Sequence, residues 1–238
     1  MSSLATGLSA GFSAQGWHPE REPGGLLWWR SDLGVTVAGG VVTQWLDLIS
    51  DVALIPSGTG HEPVISQTAA YGGTQVLDFR TGVAAKNLLS AATLNIAQPL
   101  TVYAVGNPAV IAGVHILICG LIGHRAGQMA IIPPNNPLAN SGGAGLTAGP
   151  IATTSPAVWC MTSATPTGAL YYNNFVTPGV SGDPGADNLT QVCLGDGAFS
   201  LGAYPWNGYV AEILIRAGAD SAATRTRMRN YFAGRYKL

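Results

Sequence analysis

Charged residues are scarce in this sequence. Its 238 residues include 11 Lys and Arg and 12 Asp and Glu, so 10% are charged and the formal net charge is -1. An average soluble domain has about 25% charged residues. A chain this close to neutral lacks the basic surface that coats nucleic acid, and we expect no nucleic-acid partner.

Long apolar segments and an export signal are also missing. The most apolar segment, Val110 to Ile122, has 13 residues, whereas a membrane-spanning helix needs about 20. The first 24 residues contain neither a basic start nor a continuous apolar stretch. We therefore predict no secretory signal and no membrane span, and we expect synthesis in a cytoplasm.

The sequence has few residues that bind metals or form disulfides. Three widely spaced cysteines, an odd number, match neither a disulfide framework nor a zinc site, and each lies among apolar residues, which predicts buried free thiols on strands. No nucleotide-binding glycine loop is present, so we predict no cofactor. Calcium binding is an alternative that would need the acidic residues Asp183, Asp187 and Asp196 to lie together.

What the sequence does have is many residues typical of turns, which lie between short apolar runs. It contains 32 Gly and 15 Pro, and 47% of its residues are hydrophobic, which argues against both long helices and disorder. Ten runs with the character of β-strands predict an all-β, antiparallel sandwich. The predicted strands are Gly25–Trp29, Val41–Trp45, Gln75–Phe79, Leu100–Val105, Val114–Cys119, Gln128–Ile132, Ala157–Thr162, Ala169–Tyr172, Gln191–Leu194 and Tyr209–Arg216.

The two ends of the chain have a different character from the middle. Residues 1–24 are small and polar with a charged group at 20–22, which predicts an N-terminal arm held either by the parent domain or by a neighbouring molecule. At the other end, Asp220 or Ser221 can cap a helix over 221–236. The side chains that recur every four residues, and that we expect to dock this helix, are Met228, Phe232 and Tyr236.

The last predicted strand, Tyr209–Arg216, has apolar residues at both odd and even positions. A strict period of two places Tyr209, Ala211, Ile213 and Ile215 on one face. We predict that this face points to the core, and that Val210, Glu212, Leu214 and Arg216 lie on the opposite face.

Several segments follow one another in a characteristic order. They are Gly25–Asp32, Val35–Val37, Gly40–Asp47, Gln75–Phe79, Leu100–Val105, Trp206–Ile215 and Ser221–Leu238. This order resembles that of concanavalin A-like lectin/glucanase domains, the LamG-type jelly rolls. The resemblance implies a jelly-roll domain over residues 25–238 that closes with the terminal helix.

Some proteins that this sequence resembles are glycoside hydrolases, whose catalysis needs two carboxyl groups about 5 to 9.5 Å apart. The Glu-x-Asp-x-x-Glu pattern of the related glucanases is absent here. Glu20 and Glu22 lie in the arm, and the resemblance gives Glu212 a structural role. Glu62 with Asp78 stays open as a distant pair, but we predict that the protein is not an enzyme.

Carbohydrate binding is favoured more than catalysis, because sugars bind to aromatic faces and amide groups and the predicted loops contain both. The candidates are Tyr171, Tyr172, Asn173, Asn174, Tyr204, Trp206 and Asn207. Asn173 and Asn174 also suit a type I′ turn, since Asn tolerates positive φ. The alternative is that these aromatic residues pack against neighbouring loops or subunits.

The least charged part of the chain is residues 87–182, where Arg125 is the one charged residue. Interface cores are depleted of charge, so we hypothesise that other subunits cover part of this region; a solvated neutral surface is the alternative. An adhesin-like fold without an export signal suits a homo-oligomeric bacteriophage virion protein, such as a decoration, fibre or tail component. A stand-alone extracellular lectin and a glycoside hydrolase are the alternatives.

Overall fold

A computed structural model of the chain describes most of its residues. The described ranges are 17–80, 85–110, 113–120, 127–132, 136–142, 145–150, 154–173, 177–196 and 202–238.

The described residues form 17 strands and one α-helix. Short 3-10 helices lie at Pro19–Arg21 and Ala69–Tyr71. The strands are β1 (Gly25–Arg30), β2 (Val35–Ala38), β3 (Val41–Leu46), β4 (Ala53–Ile55), β5 (Val64–Gln67), β6 (Gln75–Asp78), β7 (Leu88–Ser90), β8 (Leu100–Pro108), β9 (His115–Cys119), β10 (Gln128–Ile132), β11 (Asn136–Asn140), β12 (Leu146–Thr147), β13 (Ala157–Ser163), β14 (Gly168–Tyr172), β15 (Val180–Gly182), β16 (Cys193–Leu194) and β17 (Gly208–Ala217), and the helix is α1 (Ala222–Tyr236).

All strand pairs are antiparallel, and they form two layers. One layer has the order β15-β14-β13-β8-β17-β1. The other has the order β3-β4-β7-β16-β9-β10-β11-β12, with β2 beside β3. The strands β6 and β5 join the layers by pairing with β17 and β3. The predicted antiparallel jelly-roll sandwich with a C-terminal helix is confirmed.

The main core lies between the two layers. Four fully buried tryptophans anchor it, and they are Trp29, Trp45, Trp159 and Trp206. Burying a large apolar side chain contributes roughly 1.5–3 kcal/mol. The central strand β8 is buried along its whole length, because its outer face is also covered.

The outer face of β8 and β17 is covered by α1. The predicted stripe of Met228, Phe232 and Tyr236 is fully buried in a second apolar cluster, which also contains Trp28 and Tyr103. This confirms the docking of the helix. Among the described residues, no helix is long and apolar enough to cross a membrane.

The helix begins where the sequence predicted. The side chain of Ser221 accepts a hydrogen bond from the backbone N–H of Thr224 at 3.2 Å, so Ser221 is the N-cap. The backbone of Lys237 is left-handed with φ 58° and ends the helix, its N–H donating to the carbonyl of Ala233.

The alternation predicted for β17 is wrong at its start, because the strand contains a β-bulge. The register against β8 shifts between Val210 and Glu212, and a bulge of this kind reverses the facing of residues on either side. Val210 therefore packs in the main core with Ile213 and Ile215. Tyr209 and Ala211, predicted to point the same way as Ile213, instead face α1.

The described part of the arm, residues 17–24, lies against its own domain. The carboxylate of Glu22 accepts hydrogen bonds from Arg227 at 2.7 Å and from the Thr224 hydroxyl at 3.1 Å. The buried guanidinium of Arg216 donates to the carbonyls of Glu22 and Pro23 at 3.2 and 2.6 Å. Residues 1–16 of the predicted arm lie outside the described residues.

Candidate functional site

A surface pocket of about 320 Å³ lies where three connections meet at one end of the sandwich. The connections are those between β7 and β8, between β13 and β14, and between β15 and β16. The residues that line the pocket are Gln98, Pro99, Ala164, Thr165, Ala186 and Asn188. Small-molecule sites range over about 300–1,000 Å³, so this pocket has the size of a small site.

Hydrogen bonds hold the three connections together around the carbonyl of Gly185. Gln98 Nε2 donates to the carbonyls of Gly185 and Asp187 at 2.8 and 3.1 Å. The Thr165 hydroxyl donates to the same Gly185 carbonyl at 2.7 Å. Below them, Ile96 and Leu189 form a β-bridge with two backbone hydrogen bonds. The pocket is therefore preformed.

The polar groups of the pocket keep hydrogen-bonding capacity for a ligand. The single proton of Thr165 Oγ1 can go to the Gly185 carbonyl at 2.7 Å or to Gln98 Oε1 at 3.4 Å, and both side-chain oxygens keep lone pairs that can accept from a ligand. Asn188 is exposed, and no other described residue hydrogen-bonds its side chain. Its amide can both donate and accept.

The remaining wall of the pocket is apolar and uncharged. Pro99, Ala164 and Ala186 supply it, and none of the six lining residues carries a charge. The nearby acid Asp187 turns its carboxylate towards Gly142, where a Cβ would come within 2.3 Å of the Asp187 Cγ. Hydroxyl-rich neutral molecules fit such a lining, since it combines amide and hydroxyl groups with a small apolar surface.

The first group of predicted carbohydrate-binding residues lies on β14 and its following turn. Tyr171 is 5% exposed, and the guanidinium of Arg225 covers its ring at 4.3 Å. Tyr172 packs edge-on against Trp159 at 4.7 Å, and burial raises the pKa of its hydroxyl to about 12. The ring of Tyr171 is therefore covered, and the ring of Tyr172 is partly buried against the main core.

Asn173 is exposed and has φ 56°, as the predicted turn requires. Its side-chain oxygen accepts a hydrogen bond from the N–H of Val158 at 3.0 Å, so this oxygen already has a structural partner. Asn174 lies outside the described residues.

The second predicted group lies at the opposite end of β8 from the pocket. Trp206 is fully buried and contacts Trp159 edge-on at 6.3 Å, so its ring belongs to the core. Tyr204 is half-buried against a small cluster that includes Cys119 and Cys193. Asn207 is half-buried, and its carbonyl accepts from the N–H of Ala109 at 2.6 Å.

The structure thus separates the predicted carbohydrate-binding residues from the pocket. Tyr172 and Trp206 converge on Trp159, whereas the pocket uses Gln98, Thr165 and Asn188. These three residues carry little signal in the sequence, because they are single uncharged side chains in loops without an aromatic neighbour. Their one shared feature is weak: Gln98 and Thr165 both precede a proline.

The carboxylates considered for catalysis have structural partners. Glu212 is fully buried and accepts hydrogen bonds from Trp28 and Tyr236 at 2.5 and 2.6 Å. Asp78 pairs with Arg80 at 2.6 Å. Glu62 accepts a hydrogen bond from the N–H of Gly60 at 2.7 Å in its own loop.

The acids considered for calcium binding also differ in their surroundings. Asp196 is fully buried, and its carboxylate accepts hydrogen bonds from the N–H groups of Gly202 and Tyr204. Asp183 accepts from the N–H of Gly185 at 2.9 Å. Within the ranges that the structure describes, no three His, Cys, Asp or Glu residues lie close enough to hold a metal ion.

No protein-family model matches the sequence, and no curated protein sequence matches it at a significant level. The fold, however, is similar to solved structures. Domain 4 of AbnA, a GH43 extracellular arabinanase from Geobacillus stearothermophilus solved in complex with arabinotriose, matches with a TM-score of 0.61 and 11% identity. The match covers 87% of this chain and 99% of that domain.

Two further structures match over part of their length. A Trypanosoma rangeli sialidase in complex with sialic acid has a TM-score of 0.61 and 14% identity, over 87% of this chain and 33% of the sialidase. The binding domain of Paraclostridial Mosquitocidal Protein 1 has a TM-score of 0.61 and 11% identity, over 88% of this chain and 52% of that chain. This chain therefore spans about a third of the sialidase. The TM-scores show a shared fold, and at these identities the matches show the fold alone, so membership in the concanavalin A-like family stays a prediction.

Proposed function

We propose that this chain is a carbohydrate-binding module without catalytic activity of its own. The observation that carries the proposal is the preformed pocket, whose amide and hydroxyl groups and apolar wall suit the polar and apolar faces of a sugar. The fold supports it, since the whole of the arabinanase domain solved with arabinotriose has the same architecture. Fold similarity alone does not determine function, so the pocket must be tested directly.

The test is a glycan array followed by titration calorimetry with the wild type and with Asn188→Ala. Loss of two amide hydrogen bonds at about 0.5–1.5 kcal/mol each should weaken binding about tenfold. The matched control is Asn230→Ala, which removes an exposed asparagine on α1 and should leave affinity unchanged. Equal affinity of Asn188→Ala and wild type would place binding elsewhere, and the absence of any bound glycan would refute the proposal.

The absence of catalysis is tested with the same ligands. Any glycan bound by the protein is incubated with it and analysed for released reducing ends. We expect none, because Glu212 and Asp78 are held by partners within the fold. Sugar release that a single substitution such as Glu62→Gln abolishes would show a glycoside hydrolase instead.

A structural role in a bacteriophage particle is the second candidate. The observation that favours it is residues 87–182, whose one charged residue is Arg125. This segment runs from β7 to β15 and supplies strands to both layers, so a covered face could extend over a large part of the sandwich. Sedimentation over a wide concentration range tests the required homo-oligomer, and a monomer at every concentration, with no partner captured, would contradict it.

A further inference from the structure

We infer that the pocket selects neutral glycans and discriminates against glycans that carry a carboxylate. The inference rests on the proposed function and adds the class of ligand. It comes from the chemistry of the lining residues Gln98, Pro99, Ala164, Thr165, Ala186 and Asn188.

The hydrogen-bonding groups left on the lining side chains are mostly acceptors. Gln98 Nε2 is occupied by the carbonyls of Gly185 and Asp187, and the Thr165 proton is occupied by Gly185 or Gln98 Oε1. Among the lining side chains, what remains is the acceptor oxygens Gln98 Oε1 and Thr165 Oγ1 and the amide of Asn188, which has one acceptor oxygen and an NH₂ donor. Sugar hydroxyls can donate to such oxygens, whereas a carboxylate accepts only.

No cation compensates for this shortage of donors among the lining residues. A carboxylate that leaves water without a positive partner loses several kcal/mol of hydration. An exposed acid, Asp183, instead lies beside the pocket, and its side chain accepts from the N–H of Gly185 at 2.9 Å. Its charge makes the local potential unfavourable for an anion and has little effect on a neutral hydroxyl.

The experiment compares acidic oligosaccharides with their carboxyl-reduced forms, which differ only in the replacement of each carboxylate by a hydroxymethyl group. Both members of each pair are titrated against the wild-type protein at the same pH and salt concentration. We expect the reduced form to bind at least tenfold more tightly. Equal or tighter binding of the acidic form would overturn the selectivity and leave the carbohydrate-binding function intact.

A variant with an added cation separates charge from shape. Ala186→Lys places an ammonium group at the rim, where residue 186 is exposed and the fold should be unaffected. We expect the preference for the reduced form to shrink at least threefold, with Ala222→Lys on α1 as the exposed control that changes nothing. An unchanged preference in Ala186→Lys would contradict the electrostatic argument, and failure of every glycan to bind would overturn the proposed function and this inference together.

Discussion

The carboxylate of Glu212 is enclosed between β17 and α1, where three hydroxyl or indole groups donate to it. Trp28 Nε1 and the Tyr236 and Tyr231 hydroxyls lie 2.5, 2.6 and 3.2 Å away. Burial raises the pKa of Glu212, and the opposing charge of Arg235 at 3.5 Å counteracts that rise. This single residue therefore joins the sheet to the helix, in agreement with the structural role that the family resemblance implied.

At the residue scale, we predict that mild acid destabilises the protein through His18. Its ring packs edge-on against Trp28 and Tyr231 at 5.0 and 5.5 Å, and burial lowers its pKa from 6.5, partly opposed by Glu20. The folded state thus favours neutral His18, so the unfolded state binds more protons below pH 6.5. Stability supplied by this residue is complete above that pH and is lost as the pH falls through the folded-state pKa.

The measurement for His18 is urea unfolding at pH 7.5 and at pH values below 6.5. The free energy of unfolding of the wild type should fall with pH, and the fall should be smaller in His18→Phe, which keeps the aromatic packing. The matched control is His61→Phe, whose ring lies elsewhere, beside the carbonyl of Ala85. An identical pH dependence in wild type and His18→Phe would contradict the prediction.

At the scale of single elements, the sequence predicts features that depend on neighbouring residues and misses features that depend on the pairing partner of a strand. β10 has the predicted bounds Gln128–Ile132, since a short apolar run between turns is a local feature. β11 contains proline and asparagine, residues that are depleted in strands, and forms because it pairs with β10. The bulge at Val210 was invisible for the same reason, because it exists only in the register against β8.

The pocket could not be predicted for the same reason, because it also depends on strand pairing. Gln98, Thr165 and Asn188 are as far as 90 positions apart along the chain, and they meet only because β8 pairs with β13 and the β15–β16 connection returns beside them. The predicted aromatic candidates follow from residue type and from their place in predicted loops. Residue type does not reveal that Trp206 points into the core.

We predict that the three thiols react only when the strands that carry them separate. Cys119 on β9 and Cys193 on β16 are register partners, and both thiols donate to the carbonyl of Asp196 at 3.3 and 3.0 Å. Hydrogen bonding to Cys119, together with burial, raises the pKa of the Cys193 thiol, and burial raises that of Cys160. High pKa and burial both suppress thiolate reactivity.

Ellman's reagent at pH 8 measures this prediction. The native protein should release almost no thionitrobenzoate over an hour, and the denatured protein should release about three equivalents, one from each cysteine. An engineered Asn230→Cys, at an exposed position of α1, serves as the positive control for reagent access. Rapid release of two equivalents from the unmodified native protein would show that β9 and β16 open readily.

At the scale of the whole molecule, β8 and β17 belong to both apolar clusters, so we predict a single cooperative unfolding transition. Met228→Ala, in the second apolar cluster beneath α1, should lower the free energy of unfolding by about 2–5 kcal/mol. Trp206→Ala, in the main core, should lower it by about 3–5 kcal/mol. Circular dichroism and tryptophan fluorescence should give coincident curves for each variant.

The control for this prediction is Asn230→Ala, on the exposed face of the same helix, which should leave the transition in place. Two separated transitions in Met228→Ala, with the helix signal lost first, would contradict the view that the clusters unfold together.

The uncharged lining of the pocket has a consequence for the conditions under which the protein could work. Attraction between opposite charges weakens as dissolved salt accumulates around them, and none of the six lining residues takes part in such attraction. A sugar held there would be retained about equally well in fresh water and in brine.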